Sequence, residues 1–149
     1  MRLLVTGDRM WGRVPEGGQP TGQQVRQAKM EREYLELVLD TVNQSPGISE
    51  LVIGDAKGTD EFARRWAISR NIPLAENLAG KRAPFKAEWD TEGKSAGYIR
   101  NQAMLDHADP DAVIAFHRDF LRSKGTKDMV DRSLKRGLMV SLHPTVSSF

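Results

Sequence analysis

Five short apolar runs, RLLVTG, ELVIGD, IPLAENL, DAVIAF and GLMVSL, recur along the chain and constrain its fold more than any other feature. Each is nearly continuous rather than alternating, as in strands buried on both faces of a parallel sheet. Parallel neighbours need a crossover, and the intervening stretches carry helical faces. Met30, Tyr34, Leu37, Val38 and Thr41 fall on one such face; Phe62, Ala63, Trp66 and Ala67 on a second; Ile99, Ala103 and Met104 on a third; Met129, Val130 and Leu134 on a fourth. Gly137 suits the C′ position after the last helix. Alternating elements with right-handed crossovers define an α/β class, a Rossmann-like doubly wound parallel sheet of about five strands in the expected order 3-2-1-4-5.

The chain of 149 residues is expected to form a single domain, 1–149, with an inserted mobile loop at about 12–28, where GRVPEGGQPTGQQ is rich in Gly, Pro and Gln. A hydrophobic fraction of 39% and a charged fraction of 28% fit a globular protein rather than a disordered one. The formal net charge of +2 gives no broad cationic field, so nucleic acid is not an expected partner. Without cysteine there are neither disulfides nor thiolate metal sites, and His107, His117 and His143 lack ligand spacing, so no metal is expected. The opening apolar run is too short for a signal peptide or a membrane span; a cytoplasmic location and no membrane partner are expected.

In such a sheet a ligand binds outside the carboxyl ends of the strands, where the winding reverses between the first and fourth. The loops there are TGDRMW and HRDFLRSKGT, flanked by GDAKGTD, and Lys-Gly-Thr occurs in two of the three. A glycine turn feeding a helix presents free backbone N–H groups to an anion. Gly7, Asp8 and Arg9 are ligand-binding candidates: Gly7 permits close approach, and Arg9 can hold a phosphate. Gly54, Gly58 and Thr59 form a second turn, where Thr59 can cap its helix and Asp60 can accept from ribose hydroxyls. Gly125 and Thr126 form a phosphate cradle at the last helix, with Lys124 adding charge.

Arg100 and Asn101, early in the helix of GKSAGYIRNQAML, are further ligand-binding candidates; Arg100 can meet an anionic group and Asn101 can fix the loop. The polar stretch 79–97 carries Phe85 and Trp89, which either pack the loop down or offer a stacking surface to a base. Neither Lys-Gly-Thr turn is a Walker A motif, so an ATPase is not expected. No cofactor beyond the ligand itself is expected.

Taken together, LLVTGDRMW, LVIGDAKGTDEFARRWA, AEWDTEGKSAGYIRNQAML and PDAVIAFHRDFLRSKGTKDMVDRSLKRGLMV resemble successive blocks of the SLOG superfamily, which groups the DNA-processing protein DprA with the Lonely Guy phosphoribohydrolases. The likeness is greatest to its YspA-type branch, also called DUF2493. It implies a Rossmann-like module that binds a nucleotide or a nucleotide-derived ligand, including NAD-derived or ADP-ribose-like ones. It also leaves open homo-oligomers and two alternatives: nucleoside 5′-monophosphate N-glycosidase activity and DprA-like DNA binding. By this resemblance Arg100 and Met104 take the places of the arginine and methionine of the Lonely Guy Arg-Lys-x-x-Met block, and Gly125 and Thr126 those of its later Gly-Thr pair. The hydrolases' catalytic glutamate falls on Met129, which cannot accept a proton. An enzyme would therefore rely on Arg100 with Asp128 or Asp60.

Overall fold

The computed structural model describes residues 1–145. Four parallel strands, β1 (Arg2–Gly7), β2 (Glu50–Val52), β3 (Ala112–His117) and β4 (Met139–Pro144), form one sheet in the order β2-β1-β3-β4. Helices α1 (Gly22–Gln44) and α2 (Thr59–Ser69) pack on one face. Helices α4 (Ala96–Ala108) and α5 (Lys124–Lys135) pack on the other, preceded by the short α3 (Trp89–Glu92) and a single 3₁₀ turn over Gly93–Ser95. The fold is Rossmann-like, and the strands keep the neighbours expected from sequence.

The near-continuous apolar runs are explained by the two faces. Leu3 and Val5 of β1, Leu51 of β2, and Ile114 and Phe116 of β3 join Leu35, Leu39 and Trp66 in one core. Their intervening neighbours Leu4, Val52 and Val113 join Met104, Leu105 and Met129 in the other. Period-two alternation thus serves two apolar environments rather than one apolar and one aqueous.

Three expectations need correction. The sheet has four strands rather than five, because IPLAENL makes only a bridge beside β2: Leu51 N–H donates to Pro73 O at 3.0 Å, and Ala75 N–H to Leu51 O at 2.9 Å. The next edge contact comes from a different segment, Phe85 N–H donating to Ile53 O at 2.9 Å, so two segments share the place of one strand. Pro73 contributes a carbonyl but has no N–H with which to extend a ladder.

The expected loop at 12–28 is shorter, since α1 begins at Gly22. Thr21 caps it in a reciprocal box, Gln24 N–H donating to Thr21 Oγ1 at 3.1 Å and Thr21 N–H to Gln24 Oε1 at 2.9 Å. The buried stripe of α1 is Ala28, Glu31, Leu35 and Leu39, leaving Leu37 62% exposed. A glutamate inside the stripe shifts a count of apolar residues onto the neighbouring face. Ile99 and Leu134, also expected on buried faces, are exposed.

Candidate functional site

A cavity of about 370 Å³ opens at the carboxyl ends of β1 and β3, on the edge where the winding reverses. It is lined by Gly7, Asp8, Arg9, Asp60, Arg100, Asn101, Gly125 and Thr126 among the residues expected from sequence. Gly54, Gly58, Thr59 and Asp128 do not line it.

The two Lys-Gly-Thr turns share the sheet edge but do different work. Asp8 N–H donates to Phe116 O at 2.9 Å, and the Asp8 carbonyl accepts from Thr59 N–H at 3.2 Å and Thr59 Oγ1–H at 3.1 Å. Thr59 is fully buried, so both its donors are taken up within the protein. Gly58 has φ +75°, and a Cβ there would lie 2.3 Å from Arg9 O; a Cβ on Gly7 would lie 2.3 Å from Phe116 O. These glycines let the end of β1 and the start of α2 touch main chain to main chain. The first Lys-Gly-Thr is a clamp rather than a cradle.

The second turn is open. Gly125 and Thr126 lie in the first turn of α5, where N–H groups have no intrahelical acceptor, and Ser123 Oγ–H donates to Thr126 Oγ1 at 2.7 Å. Beyond its chain neighbours and the backbone of its own helix, no atom lies within 4 Å of where a Gly125 Cβ would stand. Lys124 and Arg122 line the same mouth. With Arg9, Lys94 and Arg100 they bring five cationic side chains to a cavity holding two carboxylates, Asp8 and Asp60. Lys94, Arg122 and Tyr98 were not singled out from sequence, although they lie in GKSAGYIRNQAML and HRDFLRSKGT, the stretches expected to carry the site.

Below the mouth lies a charged group of three residues. Arg100 Nη1–H donates to Asp55 Oδ1 at 2.9 Å and Arg100 Nε–H to Asn101 Oδ1 at 3.2 Å. Asp60, only 7% exposed, accepts from Ala56 N–H at 3.2 Å. A Cβ on Gly54 would meet both Arg100 Nη1 and Asp60 Oδ2, so that glycine makes room for the group from beneath. Burial raises the Asp60 pKa from its ordinary 3.8 to about 6, although Arg100 and the Ala56 amide favour the ionised form.

Asn101 and Asp128 hold α4 against α5. Asn101 Nδ2–H donates to Gly125 O at 3.2 Å and to Asp128 Oδ2 at 3.1 Å, and Arg132 Nε–H donates to the same carboxylate oxygen at 2.9 Å. Asp128 therefore faces the helix pair, and Met129 beside it is fully buried in the core. Of the two carboxylates expected as alternatives for catalysis, the cavity receives Asp60.

Behind the site, Glu31 is fully buried and pairs with Arg118 through two bonds, Nε–H to Oε2 at 2.8 Å and Nη2–H to Oε1 at 2.7 Å. Its oxygens also accept from Gly12 N–H at 2.9 Å and Thr145 Oγ1–H at 2.6 Å. This group fixes the turns after β1 and β3 that carry the cavity.

The architecture is thus a Rossmann-like α/β fold with a polar cavity at its topological switch point. Gene 61 protein of Mycobacterium phage D29 is similar to this chain, 29% identical over 139 residues that span 93% of each. No protein-family model matches the chain. No solved structure matches it. Among the described residues no helix is long and apolar enough to cross a membrane. Nor do the described residues place three His, Asp or Glu side chains where they could hold a metal ion.

Proposed function

We propose that this chain is a SLOG-like cytoplasmic module that binds a nucleotide or a nucleotide-derived ligand, of the ADP-ribose kind among others, in the cavity between β1 and β3. The observation that carries this reading is the open start of α5. Gly125 and Thr126, in the first turn of α5 where amides have no intrahelical acceptor, line a cavity together with Lys124, Arg122 and Arg9, a combination suited to a phosphate group. A sugar hydroxyl can donate to Asp60 or Asp8.

A ligand that binds only the folded chain stabilises it by about 2.7 kcal/mol at a hundred times its Kd. A nucleoside 5′-monophosphate should therefore raise the Tm, and the matching nucleoside should do much less. Lys124→Ala should reduce the difference. Equal shifts from nucleotide and nucleoside would remove the phosphate site from the reading.

Asp60 favours a second reading, cleavage of the N-glycosidic bond of a nucleoside 5′-monophosphate. A buried carboxyl with a raised pKa can give a proton to a departing base or, once ionised, stabilise an oxocarbenium-like transition state. Release of free base, followed by chromatography in wild type and Asp60→Asn, tests it: turnover lost in the variant supports hydrolysis. DNA binding, the remaining alternative, would differ from both by a steep loss of affinity with salt.

A further inference from the structure

The three tryptophans are placed unequally. Trp11 and Trp66 are 0% and 1% exposed, whereas Trp89 is 47% exposed and its indole lines the cavity. Leaving half of so large an apolar ring in water forgoes burial that would stabilise the fold, yet the ring is held in position. Gly97 of α4 abuts it so closely that a Cβ there would stand 3.3 Å from Trp89 Cη2. The Arg9 guanidinium carbon lies 5.5 Å from the ring centroid. Tyr98, also partly exposed, lines the same cavity.

We propose that the Trp89 indole is the shelf on which the ligand's base stacks, and that it makes the site prefer purine to pyrimidine nucleotides. The inference rests on the nucleotide reading above and adds to it the place and class of the base. The phosphate occupies the start of α5, and the base reaches across the cavity to the indole. Arg9, already held at the ring, adds a second planar group to the stack. A bicyclic base covers more of the indole than a monocyclic one does. Because every base has a π-face, stacking alone separates purines from pyrimidines by size and distinguishes adenine from guanine little.

Trp89 is also the tryptophan that a neutral quencher in solution can reach. With wild type, AMP should protect tryptophan emission from acrylamide, and ribose 5-phosphate should not. AMP and GMP should bind about threefold more tightly than UMP and CMP, a fraction of the roughly tenfold that one whole stacking contact contributes, because pyrimidines stack as well over a smaller area. Trp89→Leu should bring AMP down to the affinity of ribose 5-phosphate while leaving ribose 5-phosphate itself unchanged, and Trp89→Phe should fall between. An undiminished purine preference in a folded Trp89→Leu protein, or no acrylamide protection with AMP bound, would overturn the shelf and leave the phosphate site standing. Failure of wild type to bind either AMP or ribose 5-phosphate would instead remove the nucleotide reading, and the shelf with it.

Discussion

Replacing Glu31 by alanine is expected to lower the unfolding free energy by about 3–5 kcal/mol, the usual cost of removing one member of a buried ion pair. The glutamate is fully buried and accepts from Arg118, Gly12 and Thr145, so its loss leaves a buried amide without a partner and a guanidinium with its bond to Arg13 O but no counter-charge. For a chain of this size each kcal/mol shifts the Tm by about 2–4 °C, so a fall of about 10 °C is expected. Gly12 follows the turn that carries Asp8 and Arg9, and Arg118 follows β3, so ligand affinity should fall with stability. The double variant Glu31→Met, Arg118→Met should recover much of the loss, because it removes both charges instead of stranding one. Urea denaturation of the three proteins measures this. A Glu31→Ala loss below about 1 kcal/mol would mean that solvent reaches Arg118 readily enough to replace its partner.

This ion pair also marks where the sequence stopped being legible. The strands could be read because a parallel sheet covered on both faces demands unbroken apolar runs, and Leu3, Leu4 and Val5 are all fully buried. The strand neighbours then followed from chain connectivity and crossover handedness. The expected third strand could not be separated from an extended edge segment, because what limits it is Pro73 and the departure of the chain after Ala75, not a lack of apolar residues. Nothing local in the sequence marks Glu31 as buried, since its partners lie 19, 87 and 114 residues away.

The site divides in the same way. A glycine turn before a helix was legible at both Lys-Gly-Thr segments, but whether its amides are free depends on what docks on them. At Thr59 the Asp8 carbonyl does so; at Gly125 the space is open. Asp60 and Asp128 are both early helical carboxylates in sequence. Only the packing of α4 against α5 turns Asp128 toward Asn101 and Arg132. Trp89 was visible as an aromatic in a polar stretch, and its exposure required the position of Gly97.

Asp60→Asn is expected to stabilise the folded protein above pH 7, the reverse of the usual result of removing a buried polar group. Folding raises the Asp60 pKa from 3.8 to about 6 because burial disfavours the charge more than Arg100 and the Ala56 amide favour it. Between these two values the native chain holds more protons than the unfolded one, so stability increases as the pH falls through 6 toward 4. Above 6 the full cost of ionisation is present, about 3 kcal/mol for a difference of this size. Asparagine keeps an oxygen to accept from Ala56 N–H and carries no charge, while Arg100 retains Asp55. The variant should therefore gain about 1–3 kcal/mol at pH 8, and its stability should vary less between pH 4 and 6 than that of wild type. Urea denaturation across that range compares the slopes. If Asp60→Asn is less stable at pH 8 and keeps the wild-type slope, Asp60 is ionised and stabilised by Arg100, and its burial is not the dominant influence. A carboxylate that costs stability at the wall of a cavity is what a functional role would retain against the easier choice of an uncharged residue. Gain of stability accompanied by loss of ligand binding or turnover in the same variant would tie that cost to the site.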